Sequence, residues 1–177
     1  MASSSNDIID IFTDGSEIKE NKTYKTLGLG WAYIIKINKE TVHFENGSID
    51  EGNNQRVELY AIYKALSYIT NNFLVSSQDI TIHSDSEYSI KSLNLWCLKW
   101  VKNNWMKADK TKVKHRDIIE PSLELIKNIK KTHCNLMFNH VRSHTNKKDF
   151  IHSGNQEADN LATMASKSNM KRNKCDC

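Results

Sequence analysis

Proline and glycine are scarce in this chain of 177 residues, which has one and six of them respectively, and no stretch of about 18 apolar residues occurs in it. The first scarcity argues against Pro/Gly-rich linkers, and no repeat or low-complexity segment takes their place. The second removes a membrane-spanning helix. A basic start followed by an apolar stretch is missing as well. Met1-Ala2-Ser3-Ser4-Ser5-Asn6 is polar, so no secretory signal is read and an intracellular setting, cytoplasmic or nuclear, is expected. Cysteines are few and lack zinc-like pairing: Cys97, Cys134, Cys175 and Cys177, the last two in a polar tail where they could chelate or oxidise. Reduced, non-structural thiols are the expectation.

With 38% hydrophobic residues, the chain is long enough to bury the core of one domain. The formal charge of +4, from 25 basic and 21 acidic residues, conceals a strong asymmetry. Between Lys99 and Arg116 stand seven basic residues, among them Lys102 and Lys107, against the single acid Asp109. Trp96, Trp100 and Trp105 are interleaved with them. Cations beside large flat rings suit a nucleic-acid backbone and favour that reading, although Trp96 and Trp100, four apart, would also suit a helix packed on a core.

Four acids occupy positions where acid is awkward. Asp14 ends the run Ile8-Ile9-Asp10-Ile11-Phe12-Thr13, and Asp85 ends Ile80-Thr81-Ile82-His83-Ser84, so two carboxylates fall where two expected strands stop. Glu58 and Asp159 lie beside the apolar helix faces Val57/Leu59/Ala61/Ile62 and Ala158/Leu161/Ala162. Carboxylates aimed at one core repel unless a cation holds them, which predicts a hard-metal site and metal-assisted phosphoryl chemistry. Singly, each has a plainer reading: a turn aspartate at Asp14, a helix cap at Asp85, a first-turn acid at Glu58, a surface residue at Asp159.

Periodicity predicts strands over 8–14, 28–37, 40–48, 79–84 and 132–141. Helices are expected over 55–71, Ser86–Leu95, 96–105, 116–130 with Pro121 in the first turn, and Asn155–Lys167. Residues 1–6 are expected to form a disordered leader, 7–167 the domain, and 168–177 a flexible tail. Three meander strands followed by strand–helix alternation imply an α/β fold with a mixed sheet flanked by helices.

Five blocks then occur in order: Ile11-Phe12-Thr13-Asp14-Gly15-Ser16, Asn54-Gln55-Arg56-Val57-Glu58-Leu59, Ser84-Asp85-Ser86-Glu87-Tyr88, His140-Val141-Arg142-Ser143-His144, and Asn155-Gln156-Glu157-Ala158-Asp159-Asn160-Leu161-Ala162. Together they resemble type 1 ribonuclease H, and the segment 96–116 resembles the basic handle of its cellular members. That resemblance implies a ribonuclease H-like fold with a five-stranded mixed sheet, its first three strands antiparallel. It also implies an endoribonuclease that cuts the RNA strand of RNA–DNA hybrids, leaving 3′-hydroxyl and 5′-phosphate ends. Two Mg²⁺ ions, replaceable by Mn²⁺, would be held by Asp14 as the shared ligand, Glu58 and Asp85 on one ion, and Asp159 on the other. His144 would assist proton transfer or product release, with His140 and His152 as nearby competitors for that role.

Gly15, Ser16, Asn54 and Gln55 would read the hybrid, whose RNA strand is marked by its 2′-hydroxyls. Trp100, Lys102 and Lys107 would follow the DNA strand. Asn53 stands where a threonine often helps bind a DNA phosphate, and Glu51 where some members are basic, so a weaker phosphate pocket is expected. Two further departures from the family are the charged segment Glu17–Thr26, expected to form a longer first hairpin, and a long loop between His144 and Asp159. No hybrid-binding module is expected before the domain, and a monomer acting in primer, R-loop or reverse-transcription clean-up is expected. A DNA-cutting nuclease of the same fold and a noncatalytic nucleic-acid-binding domain are the alternatives.

Overall fold

The computed structural model describes residues 7–73, 78–142 and 147–175. Three strands, β1 (Ile8–Lys19), β2 (Thr26–Ile37) and β3 (Glu40–Ser48), form an antiparallel meander. Next to β1 lies β4 (Asp79–Ser84), parallel to it, and β5 (Asn135–His140) is parallel to β4, so the sheet order is β3-β2-β1-β4-β5. Strand alternation divides the side chains between two faces. Ile9, Ile11, Tyr33 and Ile35 enter the main core, which is closed by α1 (Asn54–Asn72) and α4 (Arg116–Lys131). Phe12 and Ile34 enter a smaller core with Ala158 of α5 (Phe150–Cys175) on the opposite face. The ribonuclease H-like mixed sheet expected from the sequence is the observed one.

Several boundaries differ from expectation, each for a local reason. β1 does not stop at Asp14. It pairs with β2 as far as Lys19, leaving only 20–25 as the hairpin loop, closed by the Tyr24 amide donating to the Glu20 carbonyl at 2.9 Å. Four of the ten residues of the Glu17–Thr26 segment are therefore strand, three of them in β1. The two helices expected between Ser86 and Trp105 are one continuous rod: α2 (Glu87–Lys91), a π turn (Ser92–Trp96) and α3 (Cys97–Lys102). The rod ends before Trp105 because Asn104 and Trp105 take left-handed φ angles of 49° and 60°, with the Trp105 amide closing on the Trp100 carbonyl. Pro121 lies in the second turn of α4 rather than the first, so one backbone hydrogen bond to Asp117 is forgone. β5 begins at Asn135, after His133 turns with a φ of 61°.

The largest difference is at the C-terminal end. Helix α5 starts at Phe150, which converts part of the expected long loop into helix, and it continues through the supposed flexible tail to Cys175. Asn169 shows why: it is 2% exposed, and its Oδ1 accepts the Leu29 amide at 3.0 Å. Gly28 and Gly30 make the approach possible, since a Cβ at either would overlap the α5 backbone at Ser166 or Ala162. Among the described residues, no helix is long and apolar enough to cross a membrane.

Candidate active site

The parallel pairing of β1 with β4 sets the first two acids side by side. Its last partners are Phe12 and His83, and two further residues along each chain come Asp14 and Asp85. Asp14 is thus mid-strand with respect to β2 but at the carboxyl end of the parallel part of the sheet, where open α/β sheets place their ligands. Glu58 arrives from the first turns of α1, on the other side of Gly15. A Cβ at Gly15 would stand 2.5 Å from the Glu58 backbone nitrogen, so only glycine lets the helix descend far enough to bring Glu58 over the strand. Oxygens of Asp14, Glu58 and Asp85 lie within 4.8 Å of one another. Asp159, on α5, adds its charge to Asp14 from further out, and its Oδ2 accepts from Gln156 Nε2 at 2.8 Å.

This cluster is electrostatically expensive without a counter-ion. Asp14 and Glu58 are only 4% and 5% exposed. Burial, then repulsion from Asp85 and Asp159, pushes the Asp14 carboxyl up to about 8, against one lowering hydrogen bond from the Gly15 backbone. Burial, followed by the charges of Asp14 and Asp85, holds Glu58 well above the usual carboxylate range. Glu58 Oε1 accepts a long hydrogen bond from Asn54 Nδ2 at 3.4 Å, while the buried Oε2 has no partner. A buried acceptor without a donor, beside two other carboxylates, fits a hard divalent cation with oxygen ligands.

The residues expected around the acids divide into two groups. Gly15, Ser16, Asn53, Asn54 and Gln55 gather where β1 meets the start of α1. Ser16 Oγ shares a hydrogen bond of 3.1 Å with Ser166 Oγ. Asn53 caps α1 by accepting the Arg56 amide at 3.0 Å, and Gln55 is exposed beside it. Trp100 and Lys107 line one groove of about 650 Å³ with Tyr88, Trp96 and Lys99. Lys102 does not join them: it lines a separate groove with Leu98 and Val101, on the other side of α3. Trp105 is buried beneath the Arg116 guanidinium, 4.9 Å from its ring centre, and so belongs to the core of the handle rather than its surface. His144 lies outside the described residues. Its competitors are engaged: His140 Nε2 donates to the Asp85 carbonyl at 3.1 Å, and His152 Nδ1 meets the Asp149 carboxylate at 2.8 Å.

Sequence reasoning overlooked two supports. Glu17 anchors the start of α1, its Oε2 accepting the Asn54 amide at 2.9 Å and its Oε1 the Thr26 hydroxyl at 2.6 Å. Nothing in its polar surroundings marked it. Beneath the acids, His83 Nε2 donates to Asp10 Oδ1 at 2.7 Å while Asn139 Nδ2 donates to His83 Nδ1 at 2.9 Å, linking β1, β4 and β5. Here a signal did exist: an acid and a histidine inside two apolar strand runs require buried partners.

Comparison with known proteins agrees with this geometry. The RNase H family description matches residues 6–167. A probable ribonuclease H of Acanthamoeba polyphaga mimivirus is 34% identical over 135 residues, covering 71% of this chain and 57% of that protein. Ribonuclease H of Treponema denticola is 34% identical over 121 residues, covering 62% of this chain and 72% of the relative. The chain thus spans between about half and three quarters of the length of these relatives. Among solved structures, the foamy viral protease-reverse transcriptase in complex with RNA/DNA hybrid superposes with a TM-score of 0.72 at 20% identity, over 92% of this chain and 20% of that one. Matched nearly end to end, with the sheet order and the acid cluster in place, the chain belongs to the ribonuclease H family.

Proposed function

We propose that this chain is an endoribonuclease hydrolysing the RNA strand of RNA–DNA hybrids to 3′-hydroxyl and 5′-phosphate ends, as a monomer, with Asp14, Glu58, Asp85 and Asp159 holding two Mg²⁺ ions that Mn²⁺ can replace. The observation that carries this reading is the convergence of three carboxylates within 4.8 Å, two of them buried and one with an unpartnered oxygen. When bound, the ions supply Lewis acidity at the scissile phosphate and lower the pKa of the attacking water.

The rest of the task falls to the chain's own groups. Asp14 and Asp85 are presented by a rigid sheet, and Glu58 by a helix locked at Gly15, so the ligand positions are preorganised. The opening of α1 and the second half of β1 present Gly15, Ser16, Asn53, Asn54 and Gln55 to a wide, shallow minor groove, where short polar groups can distinguish a 2′-hydroxyl. On the handle, Trp100 and Lys107 in their shared groove suit sugar and phosphate contacts along the DNA strand,. Lys102, facing elsewhere, contributes charge to encounter rather than contact. His144 would carry a proton near neutrality. Hybrids left by primers, R-loops or reverse transcription are the substrates this chemistry suits.

The test is cleavage of a short hybrid labelled on either strand, in Mg²⁺ or EDTA, beside duplex DNA, duplex RNA and an Asp85→Asn control. Metal-dependent cutting of the RNA strand alone, lost in the control, is the expected result. Cutting of the DNA strand would favour a DNA nuclease of the same fold, and binding without any product would favour a noncatalytic domain.

A further inference from the structure

Helix α3 is exposed on two sides, and only one suits nucleic acid. Trp96, Lys99, Trp100 and Asn103 share the aromatic side and line the groove already described. A third of a turn or more away, Leu98 and Val101 are 66% and 51% exposed, an unusual cost for two aliphatic side chains on one short helix,. They form one wall of a second groove of about 310 Å³, whose other wall is Leu123 and Ile126 of α4 and whose end is Phe138 of β5. Its rim carries Lys102, Lys127 and Lys130 and no acid. Lys127 reaches Glu124 at 2.6 Å, but both are more than half exposed, so that pair is weakly held and readily exchanged.

We infer that this α3–α4 groove docks a short acidic amphipathic segment of a partner protein, with aliphatic side chains in the groove and carboxylates on the lysine rim. Charge complementarity selects this occupant. A nucleic-acid strand would match the lysines but not the floor, which offers aliphatic carbons where bases need flat rings. A second copy of this chain would bring the same three lysines against each other. An acidic segment with leucine-like side chains matches both parts, in the helix-in-groove manner. Since the groove lies off the acid cluster and the aromatic side of the handle, its occupant can stay bound while hybrid is engaged.

The experiment uses the full chain and a fluorescein-labelled twelve-residue peptide in which Glu-Leu-Leu-Glu-Glu-Leu is written twice. Fluorescence anisotropy is expected to show saturable binding that weakens at least about tenfold in Lys127→Glu/Lys130→Glu and in Leu98→Ser, and also when every Glu of the peptide becomes Lys. Amide shifts of the ¹⁵N-labelled chain should map to α3, α4 and Phe138, with hybrid cleavage unchanged in both variants. No binding at millimolar peptide would overturn the proposal, as would binding indifferent to the variants, shifts in this groove on adding hybrid instead of peptide, or a dimer that Leu98→Ser dissolves.

Discussion

Replacing Asp14 with asparagine should make the metal-free protein more stable near neutrality while removing its turnover. The Asp14 carboxyl is raised from 3.8 to about 8 by burial and by its acidic neighbours. Between those values the folded state binds a proton that the unfolded chain releases, so folding stability falls as pH rises through that window. The slope reaches at most about 1.4 kcal/mol per pH unit. From about pH 5 to pH 7.5 the ceiling is about 3 kcal/mol, and because Asp14, Glu58 and Asp85 share the burden, about 1–2 kcal/mol is expected from Asp14. For a chain of this size that corresponds to a fall in Tm of about 2–8 °C. Thermal unfolding in EDTA across this range should show the wild-type Tm falling more steeply than that of Asp14→Asn, which keeps an acceptor for the Gly15 amide but cannot ionise. At pH 7.5 the variant should be the more stable protein, and millimolar Mg²⁺ should narrow or reverse the difference by binding only the wild type. A wild type that remains more stable than the variant at pH 7.5 without metal would refute the argument that these acids are held together at a cost.

Gly15→Ala should lose about 1–3 kcal/mol in urea unfolding, together with most activity, because the added carbon meets the Glu58 backbone,; stability within 0.5 kcal/mol of wild type would contradict the close approach. Glu17→Ala should cost about 1–2 kcal/mol by freeing the Asn54 amide and the Thr26 hydroxyl,, and should lower kcat as the start of α1 loosens; an unchanged kcat would limit Glu17 to a structural part. Asn169→Ala should cost about 1–3 kcal/mol by leaving the buried Leu29 amide unpaired,, measured by the same unfolding assay. No change there would mean that the end of α5 is not needed by the sheet.

The order of strands and helices was legible because periodicity survives wherever a surface is half buried, as in α1, where Val57, Ala61, Ile62, Ala65, Leu66 and Ile69 all reach the core. β3 and β4 matched their expected limits, since Asn38-Lys39 and Asp85-Ser86 punctuate them clearly. Strand length beyond Asp14 was not legible, because Gly15 to Lys19 is held by pairing with β2 rather than by an apolar pattern. The same holds for the end of α5. Asn169 looks polar in sequence yet is buried, since its partner is a backbone amide 140 residues away. Of the candidate site, Asp14, Glu58 and Asp85, which the structure brings together, stood out as acids beside apolar runs, whereas the separation of Lys102 from Trp100 and Lys107 depends on which side of one helix each residue takes.

The π turn at Ser92–Trp96 divides the rod from Glu87 to Lys102 into two halves that are out of phase. Upstream, Ser89 and Ile90 are keyed to the domain; at the end of the turn and beyond it, Trp96 and Trp100 line the groove of the handle. One surplus residue in the turn acts as a dial between the two. Deleting it would restore a regular helix with the tryptophans facing nearly as they do, whereas winding the same residues as an unbroken α-helix would swing them by about 100° around the axis. The direction in which the handle offers its rings is therefore set by how five residues are wound, with no substitution among the rings themselves.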